Sequence, residues 1–435
     1  MKAVLMISYV FPPVGGSGVQ RTLYFTKYLP EFGYRPIVVH GGQRPQGGVQ
    51  DKSLLKELNP NIIRFQFLPF ELACLTVPIA KVFRNLGHIG AGLSWIIEAL
   101  TNYIERRISP DELLFWALRL VNQIIQLVKR FDVKLIYSTF DPASNHYLAW
   151  QVKRRMGLPW VADFRDLWYT KSECPAFRVR RDRHWLKVFL ENADAVINVT
   201  EYDRKVMMEF VPSVPSGRFH VVRNGVDLNN FPSVRQCRND RFTLSYVGTL
   251  NQSQASDALV RALGRLNAYV NGKGRNSIRW LAAGRLESQY RSSITSELGE
   301  SFAFLGYLSH DDARSLMNDS DVLLLMINRV TYADGIVPAK LYEYLASGRP
   351  ILCLTPVYGE AARIVEKHNA GFIVNIDDEE EIFQALRKLY DAWAIGKPYT
   401  GASRDELWQY DRRELTRRLA KIFDECIASR HDKRD

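Results

Sequence analysis

Tyr332-Ala-Asp-Gly-Ile-Val-Pro-Ala-Lys-Leu-Tyr-Glu-Tyr-Leu-Ala-Ser-Gly-Arg-Pro350 is the stretch on which the fold turns. Pro338 suits the first position of a helix, where its missing N–H leaves no bond unmade. Gly348 and Pro350 mark the stop, and Ile351-Leu-Cys-Leu354 reads as a buried strand starting directly afterwards. The spacing predicts a short helix from Pro338 to Ser347. Leu341 and Leu345 share one face and should pack, while Lys340, Glu343 and Ser347 fall on another.

That polar face is costly unless something binds to it. Lys340 lies in the first turn, where the helix dipole already places partial positive charge. Glu343 follows its lysine, the weaker order for a helical ion pair. A phosphate relieves the first problem, because a helix N-terminus with a lysine attracts anions. A carboxylate one turn further in can accept hydrogen bonds from vicinal hydroxyls such as those of a ribose. The competing reading is a solvated Lys/Glu surface pair, and the residues alone leave both open.

Pro-x-Lys-Leu-x-Glu-Tyr-Leu-Ala-x-Gly-x-Pro resembles the signature helix in the C-terminal domain of GT-B glycosyltransferases, especially family four. The family motif is Glu, seven residues, Glu. Its second Glu, matched by Glu343, holds the donor ribose. The first, which contacts the donor sugar in many members, is Gly335 here, with Asp334 beside it. The resemblance implies an α/β protein of two facing Rossmann-like, doubly wound domains. It also implies transfer of a sugar from a nucleotide-diphosphate donor.

The totals fit this expectation. At 435 residues and 46% hydrophobic content the chain can build two domains with proper cores. A formal charge of +11 favours anionic partners without choosing among nucleotides, nucleic acid and acidic membranes. Cys74, Cys174, Cys237, Cys353 and Cys426 are odd in number and widely spread, which reads as reduced cytoplasmic thiols. Lys2 to Tyr9 reads as a strand rather than a signal segment, and no apolar run is long enough to span a membrane.

In the first half, Val4-Leu-Met-Ile-Ser8 is a strand feeding Phe11-Pro-Pro-Val-Gly-Gly-Ser-Gly18, then a helix from Val19 to Leu29 and the strand Pro36 to Val39. A nicotinamide fingerprint would need a third glycine where Arg21 stands. Gly15 and Gly16 instead resemble the GT-B loop that approaches the donor phosphates and acceptor; a turn without a chemical role is the alternative. Asp111 to Phe131 reads as a core-packed helix with a stripe at Leu114, Ala117/Leu118, Val121, Ile124/Ile125 and Val128. Residues 80–107 mix aromatics, aliphatics and cations: either a peripheral membrane surface or packed structure.

Strands at Lys134–Ser138 and Pro159–Ala162 lead to Asp163-Phe-Arg-Asp166, charged residues at a carboxyl strand end, where open α/β sheets bind ligands. Asp163, Asp166 and Asp141 are candidate general bases and Arg165 joins Asp141 on the acceptor side; an Arg/Asp pair fixing a loop is the dull alternative. His146 reads as structural. Phe219 to Asp227, with its Asn-Gly-Val-Asp, is expected to be the last strand of a domain spanning 1–228. Residues 229–240 then serve as linker, 241–403 as the donor domain, and 404–430 as a helix returning to the first domain.

After the strand Phe242–Gly248, related enzymes place an Arg and a Lys on the diphosphate, whereas this chain has Thr249, Asn251 and Gln252. Lys340 must then carry more of the charge, with Thr249 and Arg329 as further donor-binding candidates. Tyr307 and Leu308 are weak candidates for receiving the base. Ser309-His-Asp-Asp312 reads as helix capping. Asp319-Ser-Asp321 spells a metal motif but precedes its strand instead of following it, so no metal is expected. Neither is any cofactor beyond the donor. The expected partners are a nucleotide sugar and a glycan or lipid-linked acceptor, in cell-surface polysaccharide synthesis at the inner face of the plasma membrane. Two alternatives stay open: a sugar-nucleotide epimerase of the same fold, and a basic nucleic-acid-binding protein, for which no recognised motif is present.

Overall fold

The computed structural model describes residues 1–42, 50–68, 72–84, 87–105, 109–168, 176–231, 240–272 and 278–431. The chain divides into two compact units, Met1–Val222 with Thr416–Asp435, and Arg223–Leu415.

The first unit is built on a parallel sheet of seven strands. They are β1 (Lys2–Ile7), β2 (Tyr34–His40), β3 (Ile63–Gln66), β4 (Val133–Phe140), β5 (Trp160–Phe164), β6 (Ala195–Asn198) and β7 (Phe219–Val221). Their order is β3-β2-β1-β4-β5-β6-β7, so the winding reverses between β1 and β4. Val4 to Ile7 are fully buried, the continuous apolar run of a strand covered on both faces. The helix Leu114–Arg130 buries Ala117, Val121, Ile124 and Val128 of the expected stripe, together with Trp116 and Leu120. Leu118 faces out instead.

The C-terminal helix Arg412–His431 belongs to this unit from Thr416 onward. Phe423 stands edge-on to Tyr34 at 5.3 Å, and Asp424 Oδ1 accepts from Lys2 Nζ and Tyr34 OH, each at 2.7 Å. The boundaries differ from the expected 228 and 404. Val226 pairs with Asp411; its N–H donates to the Tyr410 carbonyl and its carbonyl accepts from the Arg412 N–H, each at 3.0 Å. Asn-Gly-Val-Asp is therefore tied into the second unit by residues far along the chain. Of the expected linker 229–240, residues 232–239 lie outside the described residues.

The second unit carries β8 (Phe242–Leu250), β9 (Ile278–Leu286), β10 (Phe302–Gly306), β11 (Val322–Met326), β12 (Ile351–Leu354) and β13 (Gly371–Val374). This sheet is parallel in the order β10-β9-β8-β11-β12-β13, reversing between β8 and β11. Leu324 and Leu352 join the core under helices Asp257–Gly272 and Glu379–Ala394, whereas Leu323, Leu325 and Ile351 join the core that holds Leu341 and Leu345. That alternation is the period of a strand covered on both faces. Both units are thus Rossmann-like and doubly wound. In each, the crevice at the carboxyl ends of the two strands flanking the reversal is where such sheets take ligands.

Candidate functional site

The short helix of the second unit runs Lys340–Ala346. The chain already turns from Pro338, whose carbonyl accepts from the Leu341 N–H at 3.0 Å, and Gly348 closes the end with a left-handed φ of 66°. Leu341 and Leu345 are fully buried. Packing them aims the opposite side of the helix at the carboxyl end of β8. There Lys340 Nζ donates to Tyr246 OH at 2.8 Å and lies 4.0 Å from the centre of its ring. Tyr246 OH in turn donates to the Thr249 carbonyl at 2.7 Å, which fixes the lysine against the Gly248–Thr249 turn. Gly248 must be glycine: its φ is 138°, and a Cβ there would stand 2.5 Å from Lys340 Nζ.

Lys340 and Glu343 do not pair with each other, contrary to the surface-pair alternative. The lysine has no ion-pair partner among the described residues. Burial lowers its pKa to about 7, against the opposing pull of Glu343. Glu343 turns to other partners. Its Oε1 lies 2.8 Å from His310 Nε2 and 4.0 Å from Arg412. Burial alone would raise its carboxyl, but the His310 hydrogen bond and the charges of His310, Arg412 and Arg314 outweigh that and hold it near 2. Oε2 carries no hydrogen bond among the described residues and remains available as an acceptor.

From the sequence His310 is only part of a helix cap, and neither it nor Arg412 nor Tyr246 is expected in the site. Ser309 caps the helix His310–Asn318 as expected, its Oγ accepting from the Asp312 N–H at 3.2 Å. That cap is what places His310 beside Glu343. Arg412 opens the C-terminal helix and is held by the Gly225 carbonyl at 2.9 Å.

Around this centre the other expected residues sort out differently. Thr249 is exposed at the end of β8. Asp334 is exposed and Gly335 buried, in a turn whose backbone lies against Gly359. Arg329 pairs with Asp377 at 2.5 Å and donates to the Ala255 carbonyl, while its N–H reaches the Ser253 carbonyl at 2.8 Å. It therefore pins the 251–255 loop. Tyr307 is 46% exposed and Leu308 packs on the core. Asp321 accepts from the Thr243 N–H at 2.8 Å at the start of β11, a structural role. Among the described residues no three His, Cys, Asp or Glu side chains gather at metal-holding distance.

In the first unit the polar cluster separates. Asp163 is fully buried and gripped by Arg21, whose Nε and Nη2 each reach it at 2.8 Å, with Tyr137 OH at 2.5 Å. A carboxylate sealed from solvent and saturated by an arginine is no general base, so Asp163 leaves that role. The residue that breaks the nicotinamide fingerprint, Arg21, exists to make this pair. Arg165 likewise fixes loops, donating to the carbonyls of Phe140, Gly18 and Asp141. Asp141 and Asp166 remain exposed just past the carboxyl ends of β4 and β5. Gly15 and Gly16 follow β1, and Gly16, with φ 102°, opens the helix Ser17–Tyr28. His146 is buried among aromatic rings, with Nδ1 2.7 Å from Ser138 Oγ, the structural role expected.

Comparison with known proteins follows the same division. Residues 14–230 match the family described as Glycosyltransferase Family 4, and residues 241–392 match Glycosyl transferases group 1. No curated protein sequence matches the chain. Among solved structures, a glycosyltransferase from Rickettsia africae ESF-5 is 14% identical with a TM-score of 0.64, over 98% of both chains. HepE of Anabaena in complex with UDP and glucose is also 14% identical at 0.64, over 98% of this chain and 100% of that one. A UDP-N-acetylglucosamine 2-epimerase, so described for Listeria monocytogenes with the qualifier of an unproven assignment, is 11% identical at 0.58, over 96% and 95%. These likenesses show the fold; the two family matches, which together take in most of the chain, carry more. The chain belongs to the family-four-like glycosyltransferases of GT-B fold.

Proposed function

We propose that this glycosyltransferase moves a sugar from a nucleotide-diphosphate donor to a glycan or lipid-linked acceptor in cell-surface polysaccharide synthesis, at the inner face of the plasma membrane. The observation that carries the reading is Lys340, a lysine drawn against the end of β8 with no ion-pair partner among the described residues. A half-buried cation without an ion-pair partner is costly, and a diphosphate supplies the missing anion.

In this reading the donor diphosphate rests against Lys340 Nζ and the Gly248–Thr249 turn. Glu343 Oε2 accepts from the ribose hydroxyls while His310 holds Oε1. Asp334 and Gly335 face the donor sugar. As the bond from the anomeric carbon to the diphosphate oxygen breaks, Lys340 stabilises the charge left on that oxygen, which lowers the barrier without calling on a metal. The acceptor hydroxyl forms the new bond to the anomeric carbon. Its proton passes to the leaving phosphate if configuration is retained, or to Asp166 or Asp141 if it is inverted.

A thermal-shift panel of nucleotide diphosphates and sugar nucleotides tests the donor half. At least one ligand should raise the melting temperature, and Lys340→Ala and Glu343→Ala should each remove most of the shift. A full shift in both variants would refute the site. Conversion of the donor alone to an isomer would move the assignment to an epimerase, and comparing the anomeric configuration of product and donor decides the proton's destination.

A further inference from the structure

The helices Leu72–Arg84 and Gly87–Glu105 pack against each other in the first unit, and among their described side chains the polarity is reversed. In the second helix the side turned inward carries Ser94 and Thr101, 1% and 5% exposed, and the first helix contributes the fully buried Ala80. The side turned outward carries Trp95, 70% exposed, with Leu93, Ile96 and Leu100, and the first helix adds Val82. Small and hydroxylated residues inside with large apolar residues outside is the pattern of helices whose solvent is lipid. Even Thr101 spends its hydroxyl on its own helix, donating to the Ile97 carbonyl at 2.7 Å. Among the described residues no helix is long and apolar enough to cross a membrane, so the pattern fits a pair lying in an interface.

Placement and charge agree. The pair leaves the sheet beyond β3, where Trp116 Nε1 donates to the Phe67 carbonyl at 2.9 Å, and returns at Asp111, which accepts from the Ser144 N–H at 2.9 Å just after β4. Both ends thus sit at the carboxyl edge of the sheet, where an acceptor would be met. Ser109, just past the pair, accepts from Trp185 Nε1 at 2.5 Å. Trp185 lies on the helix Ala176–Asn192, whose exposed Arg180, Arg183, His184 and Lys187 line a groove of about 360 Å³ against Phe210–Ser213, with no carboxylate among the described residues of its walls. Cations flanking an apolar face suit anionic headgroups, and at a net charge of +11 a second copy of the chain would be repelled.

We propose that this helical pair inserts its Trp95–Leu100 face into one leaflet of an anionic phospholipid bilayer, with the groove on Ala176–Asn192 receiving headgroup phosphate. The test is flotation with vesicles of phosphatidylcholine, with and without phosphatidylglycerol. The whole chain should float with the anionic vesicles, and less so as salt rises. Trp95→Ser/Ile96→Ser/Leu100→Ser should weaken partitioning at least about a hundredfold, since each residue loses most of a side chain's burial. Arg180→Glu/Arg183→Glu should abolish the preference for anionic vesicles. Helical content and the nucleotide-diphosphate thermal shift should be unchanged in both, which separates this proposal from the donor site. Failure of the unaltered chain to float, or equal flotation of the triple variant, overturns it. So does a dimer in solution that the triple variant dissolves without any flotation to lose.

Discussion

Replacing Lys340 with methionine should make the free protein more stable and the enzyme worse. The stability half follows from where the ammonium sits. Its pKa falls from 10.5 in the unfolded chain to about 7 in the folded one, with burial as the leading cause. At about 1.4 kcal/mol per tenfold, keeping it charged costs at most roughly 5 kcal/mol. Part of the side chain still meets solvent and Tyr246 supplies a hydrogen bond, so a working figure is about 1–3 kcal/mol. Methionine keeps the stem's packing and removes the charge, which should raise the melting temperature by about 2–4 °C per kcal/mol recovered.

The sign with pH is also fixed. Between pH 7 and 10.5 the unfolded chain holds a proton that the folded chain has released, so stability rises with pH across that window. Below pH 7 the full cost is present. The variant should lack this rise.

Ligand binding reverses the argument. A diphosphate against Nζ returns the lysine to its charged form, so binding near pH 8 should draw in about one proton per ligand. Calorimetry in two buffers of different ionisation enthalpy reads this directly. Affinity for a sugar nucleotide should fall as pH rises above 7. Lys340→Met should lose about 2–4 kcal/mol of binding, roughly a thirty- to thousandfold change, because a charge-assisted contact in a partly dry site is gone. A variant that melts lower than the parent and binds equally well would refute the reasoning. So would binding at pH 8 with no proton uptake.

Glu343→Gln should weaken nucleotide binding and lower the melting temperature as well, since His310, Arg412 and Arg314 lose their shared counter-charge. Because the carboxyl is held near 2, its contribution is present above the unfolded value of 4.5 and lost as pH falls toward 2; melting curves from pH 6 to pH 3 should converge for parent and variant. Asp163→Asn should cost about 3–5 kcal/mol by leaving the buried Arg21 without its carboxylate. Denaturant melts should show this loss, whereas Asp166→Asn should melt like the parent. Gly248→Ala should weaken nucleotide binding with little change in the far-ultraviolet spectrum, because its Cβ would displace Lys340 Nζ from the β8 turn.

What the sequence could disclose follows from the range of each interaction. Strands β1, β4, β5, β8, β11 and β12 are legible because parallel strands buried on both faces are nearly unbroken apolar runs. β3 is not, being four residues, Ile-Arg-Phe-Gln, at the sheet edge with alternate side chains exposed. The helix Lys340–Ala346 is legible because its stop and its apolar face lie within a few residues of each other. Its chemical surroundings are not, since Glu343 meets His310 and Arg412, and Lys340 meets Tyr246, across long stretches of chain. Asp163 shows the same limit. A carboxylate at a carboxyl strand end reads equally as a base or a buttress, and the difference lies in whether another element brings an arginine to it. The helix after β1 does, and Arg21 was visible only as a missing glycine. Local pattern therefore locates the ligand-binding end of a doubly wound sheet. Which of its charged residues face a substrate is decided by the partners that the fold brings from elsewhere, and an uncompensated charge such as Lys340 is the stronger pointer to chemistry than a compensated one such as Asp163.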